Sequence, residues 1–373
     1  MISSIPLLAL VLLCGTGWAL HAVLQKKRRS TSFRDHGPGK QHGAGKETAL
    51  TVNPVAADFE WETTEPQKYR PFKPIYYITM GNAPHMNPYP LRSSTPSDLI
   101  AIDSNYLSRI QLRQGLIRDH ARHVVGCLPS GADAVRETYS YIQNFLLARY
   151  PTLFSPDGEK RQFRNHVTGQ SLPLGLPENQ DPVGTLRLLG DTVEDDLFLL
   201  HATPEGHLCV AFLCCFPSGF DPAEKIGKVL KDIHGPVPSY EKIGASMERF
   251  FSRLEVGKSV TRNNWSVNMT PELYNVSGNH VLEGDAYKED IDVDISKAHI
   301  RVELQTLTRL PKTQAILFSF KTYLYPVTEI KADGLGPEVA DAIEGLPRGN
   351  APGMWKYKGG VRWGKSVCAY LRS

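Results

Sequence analysis

The 373-residue chain is 41% hydrophobic and 22% charged, an ordinary globular composition. Its net charge of +3 is too near neutral to argue for nucleic acid as a partner. Cys14, Cys127, Cys209, Cys214, Cys215 and Cys368 show no zinc, CxxC or c-type heme spacing, so they read as reduced, buried thiols in a reducing compartment.

Residues 2–24 are almost continuously apolar, a length that suits one membrane-spanning helix. A cleaved signal peptide is the competing reading, but the run is long for one and no basic segment precedes it. Lys26, Lys27, Arg28 and Arg29 follow at once. The positive-inside rule keeps such a cluster cytosolic, and the main domain with it, with the endoplasmic reticulum a candidate membrane. Residues 25–68 read as a flexible tether, holding Gly37-Pro38-Gly39 and Gly43-Ala44-Gly45 without an apolar period. One folded domain is expected over residues 69–373.

Helices are predicted over residues 105–124 and 133–150, the second stopping before Pro151. Residues 185–189, 197–201 and 207–214 read as neighbouring strands. Asp221-Pro222-Ala223-Glu224 is a capping signature, and the helix it opens is expected to bury Ile226, Val229, Leu230 and Ile233 and to end at His234-Gly235-Pro236. Ser239 opens another helix, with Ile243, Met247, Phe250 and Leu254 facing inward. Residues 299–307 alternate as a strand does: Ile300, Val302 and Leu304 on one face, His299, Arg301, Glu303 and Gln305 on the other. A turn at residues 309–312 leads into an apolar strand over 315–324, which predicts an antiparallel hairpin. Early helices and later strands argue for an α+β domain around an antiparallel sheet.

No GxGxxG, Walker, HExxH, GxSxG or kinase signature is present, nor a P450-type cysteine loop around Cys214 or Cys215, so candidate chemistry rests on scattered polar residues. His234 at a helix end has two readings: an imidazole on the last carbonyls, or an axial metal ligand whose second nitrogen donates to a carbonyl. The face of His299, Arg301, Glu303 and Gln305 is either a solvated strand face or a pocket lining. In the second case Arg301 pairs with a carboxylate, and Glu303 binds an ammonium or carries a proton. Arg262-Asn263-Asn264-Trp265 either covers the edge of the core or grips an anionic cofactor with the indole on a flat ring. Asp290-Ile291-Asp292-Val293-Asp294 is an exposed acidic loop or a short metal-binding motif. Asn264, Asn268 and Asn275 each begin a glycosylation triplet, which matters only for a luminal domain.

The stretch His299-Ile300-Arg301-Val302-Glu303-Leu304-Gln305-Thr306-Leu307-Thr308-Arg309-Leu310-Pro311 resembles the signature of the heme-dependent oxidative N-demethylase-like family, with its fungal HRQ members. Ala101-Ile102-Asp103-Ser104-Asn105-Tyr106-Leu107, Cys215-Phe216-Pro217-Ser218-Gly219 with Glu224-Lys225, Ile233-His234-Gly235-Pro236-Val237-Pro238, Asn264-Trp265 and Tyr357-Lys358-Gly359 fit it in order. Leu304 stands where the family pattern has a basic residue. The resemblance implies a PAS-like antiparallel sheet with flanking helices that binds heme b. It also implies O2-dependent demethylation of a small substrate such as an amine, with electrons from a reductase partner. On that basis His234 is the expected iron ligand with His299 second. Arg262 and Arg301 would meet propionates, and Asn264, Trp265 and Gln305 would line the cofactor. Glu303 and Arg301 would be catalytic. A homodimer is left open. Two rivals remain: a luminal type II glycosyltransferase with a DxD metal site, and a heme sensor without turnover.

Overall fold

The computed structural model describes residues 51–68, 92–176, 180–289 and 293–373. The chain divides into two compact units, residues 1–48 and 49–373, and the description concerns the second. The expected membrane anchor at 2–24 lies outside the described residues. Among those described, no helix is long and apolar enough to cross a membrane.

In chain order the strands are β1 (Arg92–Ser94), β2 (Val125–Cys127), β3 (Phe154–Asp157), β4 (Gln162–Asn165), β5 (Ser171–Pro173), β6 (Asp196–Thr203), β7 (Gly206–Leu213), β8 (Ser259–Asn268), β9 (His299–Arg309) and β10 (Ile316–Pro326). The helices are α1 (Tyr106–Val124), α2 (Ala132–Arg149), α3 (Pro182–Gly190), α4 (Leu230–Ile233), α5 (Gly244–Arg253), α6 (Val327–Ala332), α7 (Gly336–Gly345), α8 (Met354–Tyr357) and α9 (Gly360–Arg372). Seven strands form one antiparallel sheet in the order β1-β8-β9-β10-β6-β7-β2, and β3-β4-β5 form a smaller one. The fold is therefore α+β around a large antiparallel sheet, as the order of elements implies.

The β9–β10 hairpin forms as expected, with Glu303 opposite Thr322 and Arg309 opposite Ile316. Alternation assigns the two faces of the sheet. One face carries Trp265, Val267, Ile300, Val302 and Tyr323 under the C-terminal helices α6, α7 and α9, and Leu197, Leu199 and Leu317 under the α1–α3 layer. The opposite face carries Phe198, Leu200, Leu307 and Phe320, packed against Leu230, Tyr240, Met247 and Phe251. A strand covered on both sides cannot show its polar residues to bulk water. Arg301 is accordingly 0%, Glu303 8% and Gln305 7% exposed, which removes the solvated-face reading of β9.

Three expectations change. Residues 185–189 are helical, inside α3, because the Asp181 carboxylate accepts from the Val183 and Gly184 amides and Pro182 follows it, the same N-cap arrangement as at Asp221-Pro222. The helix expected from Asp221 to His234 is broken. A 3-10 turn at Pro222–Glu224 is followed by Gly227 at φ +76° and by residues 227–229, which bond to β7 through Gly227 N to Cys209 O and Cys209 N to Lys228 O. Only the single turn α4 precedes His234. Finally, the tether does not reach residue 68. Val52, Val55, Phe59 and Trp61 pack on the core, and the Val55 amide donates to the Arg149 carbonyl.

Buried charge ties the early motifs to the sheet. Lys321 on β10 donates to Asp103 Oδ2 at 2.7 Å, to the Ala101 carbonyl at 2.8 Å and to Glu194. Arg113 on α1 pairs with Asp196 at 2.5 Å, and the same carboxylate accepts from the Cys215 and Phe216 amides. Paired and hydrogen-bonded charges of this kind are tolerated inside a core. Asp195 is different. Its Oδ2 is buried and finds no hydrogen bond among the described residues, and desolvation pushes its pKa from 3.8 to about 7. The folded chain then holds a proton that the unfolded chain releases. The contribution to stability is complete below about pH 4 and declines as pH rises through about 7. Asp195→Asn is expected to flatten that decline. Urea unfolding at about pH 5 and about pH 8 reads it, and a variant with the native pH slope would contradict the assignment.

Candidate active site

The polar residues of β8 and β9 share one sheet face, because Arg262 pairs with Gln305, Asn264 with Glu303, Ser266 with Arg301 and Asn268 with His299. They form a continuous network. Arg262 Nε donates to Gln305 Oε1 at 2.6 Å, and Gln305 Nε2 donates to Glu303 Oε2 at 3.0 Å. Asn264 Nδ2 donates to the same carboxylate oxygen at 3.3 Å, and Arg301 Nε to Glu303 Oε1 at 3.2 Å. The Glu303 side chain keeps 11% exposure, so the network opens onto accessible space. Arg262 is exposed to water, yet protein crowds it enough that desolvation lowers its pKa.

His234 stands at the C-terminal end of α4. Its Nδ1 donates to the Leu230 carbonyl at 2.8 Å, and its ring stacks on Tyr240 with centroids 5.0 Å apart at 5°. Nε2 makes no hydrogen bond among the described residues. Burial lowers the pKa, and the nearby cations Arg262 and Lys225 lower it further, so the ring is held neutral. The sequence motif Glu224-Lys225 thus comes close to His234 through the break at Gly227. Tyr240 also lines a groove of about 480 Å³ with Glu205, Lys231, Glu241 and Glu248. None of the polar-face residues lines that groove.

Two residues not singled out as site candidates from the sequence lie within electrostatic reach of Glu303. His280 stacks on Tyr357 at 4.3 Å and 11°, with Nδ1 on the Tyr357 carbonyl at 3.2 Å. Lys358 is 7% exposed, and its Nζ donates to the Trp265 carbonyl on the edge of β8 that β1 leaves open. Both respond electrostatically to Glu303. Lys358 belonged to one of the short matched stretches, Tyr357-Lys358-Gly359. His280 carried no local signal.

Several expected roles need correction. Trp265 pairs with Val302, on the face opposite Asn264 and Glu303, and is 1% exposed in the C-terminal cluster, so it cannot lie on a cofactor at the polar face. The two-residue period of a strand puts 262 and 264 on one side and 265 on the other. Each guanidinium nitrogen of Arg301 is hydrogen-bonded within the protein. Besides Glu303 it donates to the Leu273 carbonyl at 3.3 Å, to Thr322 Oγ1 at 3.2 Å and to the Phe216 carbonyl. It is an anchor between β9, β10 and two loops, and does not meet a propionate. His299 sits at the start of β9 with Nδ1 on the Lys297 carbonyl at 2.8 Å, beyond Arg301 from Glu303.

The glycosyltransferase signals do not assemble. Asp290 and Asp292 lie outside the described residues, while Asp294 caps the turn at Ile295–Lys297. No group of three or more potential metal ligands exists among the described residues. Asn268 is 0% exposed, Asn264 is bonded to Glu303, and Asn275 Nδ2 donates to Asn279 at 2.8 Å. Such amides are poorly placed to carry a glycan on the folded domain.

A sequence model of the family described as haem-dependent oxidative N-demethylase, alpha subunit-like, matches residues 90–368, about three quarters of the chain. The chain belongs to that family. The match spans the sheet, His234 and the C-terminal helices, and the family name indicates heme dependence and oxidative chemistry. The residues present fit such a group. A neutral imidazole offers a free Nε2 and is oriented through its other nitrogen, the arrangement a metal-bound histidine uses. Two cations stand beside it to receive anionic edges.

Proposed function

We propose that this protein binds heme b and uses it, with O2 and electrons from a partner reductase, to remove a methyl group from a small amine. The observation that carries this reading is the pinned His234 ring with its free Nε2 beside Arg262 and Lys225. His234 would hold the iron, and the two cations would face the propionates. The sheet would serve as a PAS-like cradle. When bound, heme supplies the reductive activation of O2.

The rest is done by this chain's side chains. Glu303 is oriented by three donors, Arg301, Asn264 and Gln305, and its remaining acceptor capacity can take a substrate ammonium or pass a proton. Gln305 couples that carboxylate to Arg262. The balance is one methylamine group, one O2, two electrons and two protons to the demethylated amine, formaldehyde and water. The cysteines form no iron–sulfur set, and the five described ones are free, so the electrons come from another protein. The apolar run at 2–24, followed by basic residues, would hold the domain at the cytosolic face of a membrane.

Absorption spectra of the full chain expressed with a heme precursor test the reading. A Soret band that moves on reduction and again with carbon monoxide is expected. A chain that stays colourless after stoichiometric heme is added would refute it.

A further inference from the structure

His234 is held along its edge by a hydrogen bond and across its face by a second ring. Nδ1 donates to the Leu230 carbonyl at 2.8 Å. The Tyr240 ring lies parallel to the imidazole, with centroids 5.0 Å apart and 5° between the planes. The chain between them is built to return one ring onto the other. The Val237 amide donates to the His234 carbonyl at 2.8 Å, and the Tyr240 amide donates to the Val237 carbonyl at 3.2 Å. Pro236 and Pro238 stiffen these turns. Ser239 takes a left-handed conformation, φ +61°, to bring the backbone round.

Tyr240 is itself fixed. It is 8% exposed and packs in one cluster with Leu230, Met247 and Phe251. Gly244, the first residue of α5, leaves room for its ring: a Cβ there would stand 2.9 Å from Cε1 and 3.3 Å from Cζ. A buried tyrosine usually finds a partner for its hydroxyl. This one finds no hydrogen bond among the described residues, so the position uses the ring and not the phenol oxygen. The hydrogen bond at Nδ1 fixes the tautomer of His234 but leaves the ring plane able to rock. The stack removes that freedom.

We propose, resting on the heme reading above, that Tyr240 is a positioning residue for the iron ligand. Its ring sets the plane of the His234 imidazole and so the direction of Nε2. Gly244 keeps the space in which the Tyr240 ring can do this.

The experiment compares the full native chain with Tyr240→Phe, Tyr240→Leu and Gly244→Ala. In the heme-free chain, NMR should show the His234 ring protons with the upfield shift of a stacked imidazole, kept in Tyr240→Phe and lost in Tyr240→Leu. In the heme-loaded chain, the rate of heme transfer to an apoglobin scavenger is measured, with the iron–histidine Raman band of the reduced state. Groups that orient a metal ligand typically change affinity by about 10–100-fold. Tyr240→Leu is therefore expected to lose heme at least about tenfold faster and to shift and broaden the Raman band, while Tyr240→Phe matches the native chain. Gly244→Ala places a methyl group against the Tyr240 ring in a helix that alanine favours, and should also move the band. It replaces Tyr240→Leu if that variant does not fold. A side chain that only fills the core would lower stability in Tyr240→Leu and leave the Raman band native, which would overturn the proposal. A Tyr240→Phe chain as impaired as Tyr240→Leu would overturn it too, because the phenol oxygen would then be the active group. A native chain that takes up no heme would strike the demethylase reading itself, whereas a native band in Tyr240→Leu strikes only the positioning role.

Discussion

His234→Ala should give a folded domain that no longer retains heme. The ring makes one hydrogen bond, to Leu230, and one stack, on Tyr240, so its removal costs the fold only about 1 kcal/mol. Groups that hydrogen-bond a metal ligand typically cost about 10–100-fold in affinity when removed, which sets a lower bound for the ligand itself. The Soret band should therefore disappear at equimolar heme while far-ultraviolet circular dichroism is retained. His299→Ala provides the contrast. Its Nδ1 is bonded to the Lys297 carbonyl at the edge of the domain, and its loss should leave the spectrum unchanged. A native spectrum in His234→Ala, or its loss in His299→Ala, would move the ligand from the end of α4 to the start of β9.

Arg301→Met should be the most destabilising single change at the polar face. The side chain is 0% exposed and donates to Glu303, Thr322 and the carbonyls of Leu273 and Phe216. The variant leaves a buried carboxylate without its cation and two loop carbonyls without donors. Breaking a buried charged network in this way costs about 3–5 kcal/mol. Urea unfolding with a reducing agent present measures it, because free thiols exposed on unfolding would otherwise oxidise. A loss below about 1 kcal/mol, with heme released from a stable domain, would return Arg301 to the cofactor. The same anchor explains why motifs far apart in sequence belong together. Phe216 and Pro217 lie in the matched stretch after β7, the Phe216 amide donates to Asp196, and Asp196 is paired with Arg113 of α1. Asp103, from the earliest matched stretch, holds Lys321 of β10.

Periodic signals were the readable ones. Residues 105–124 announce α1 because Leu107, Ile110 and Ile117 fall on one side of a helix. The alternation of residues 299–307 predicts β9 and its partner, and both form with the expected pairing. Chain-terminating signals were less secure. Asp221-Pro222 does cap, but only a 3-10 turn, because Gly227 lets the chain leave helix and residues 227–229 find β7 as a hydrogen-bonding partner. Residues 185–189 are apolar enough for a strand and become helix because Asp181 caps them.

The sequence by itself determined the α+β class, the central hairpin, the family, and the parity that puts His299, Arg301, Glu303 and Gln305 on a common face. These follow from local geometry: a strand repeats every two residues and a helix every three or four, wherever they lie. Only the tertiary structure decided which of those side chains are at work inside the core and which are free. It turned Trp265 away, closed Arg301 into the frame, and paired β8 with β9 so that Arg262 and Asn264 stand beside Gln305 and Glu303. Those outcomes depend on contacts between residues tens of positions apart. The strength of a buried charge depends on every group packed around it, and no local pattern encodes that sum.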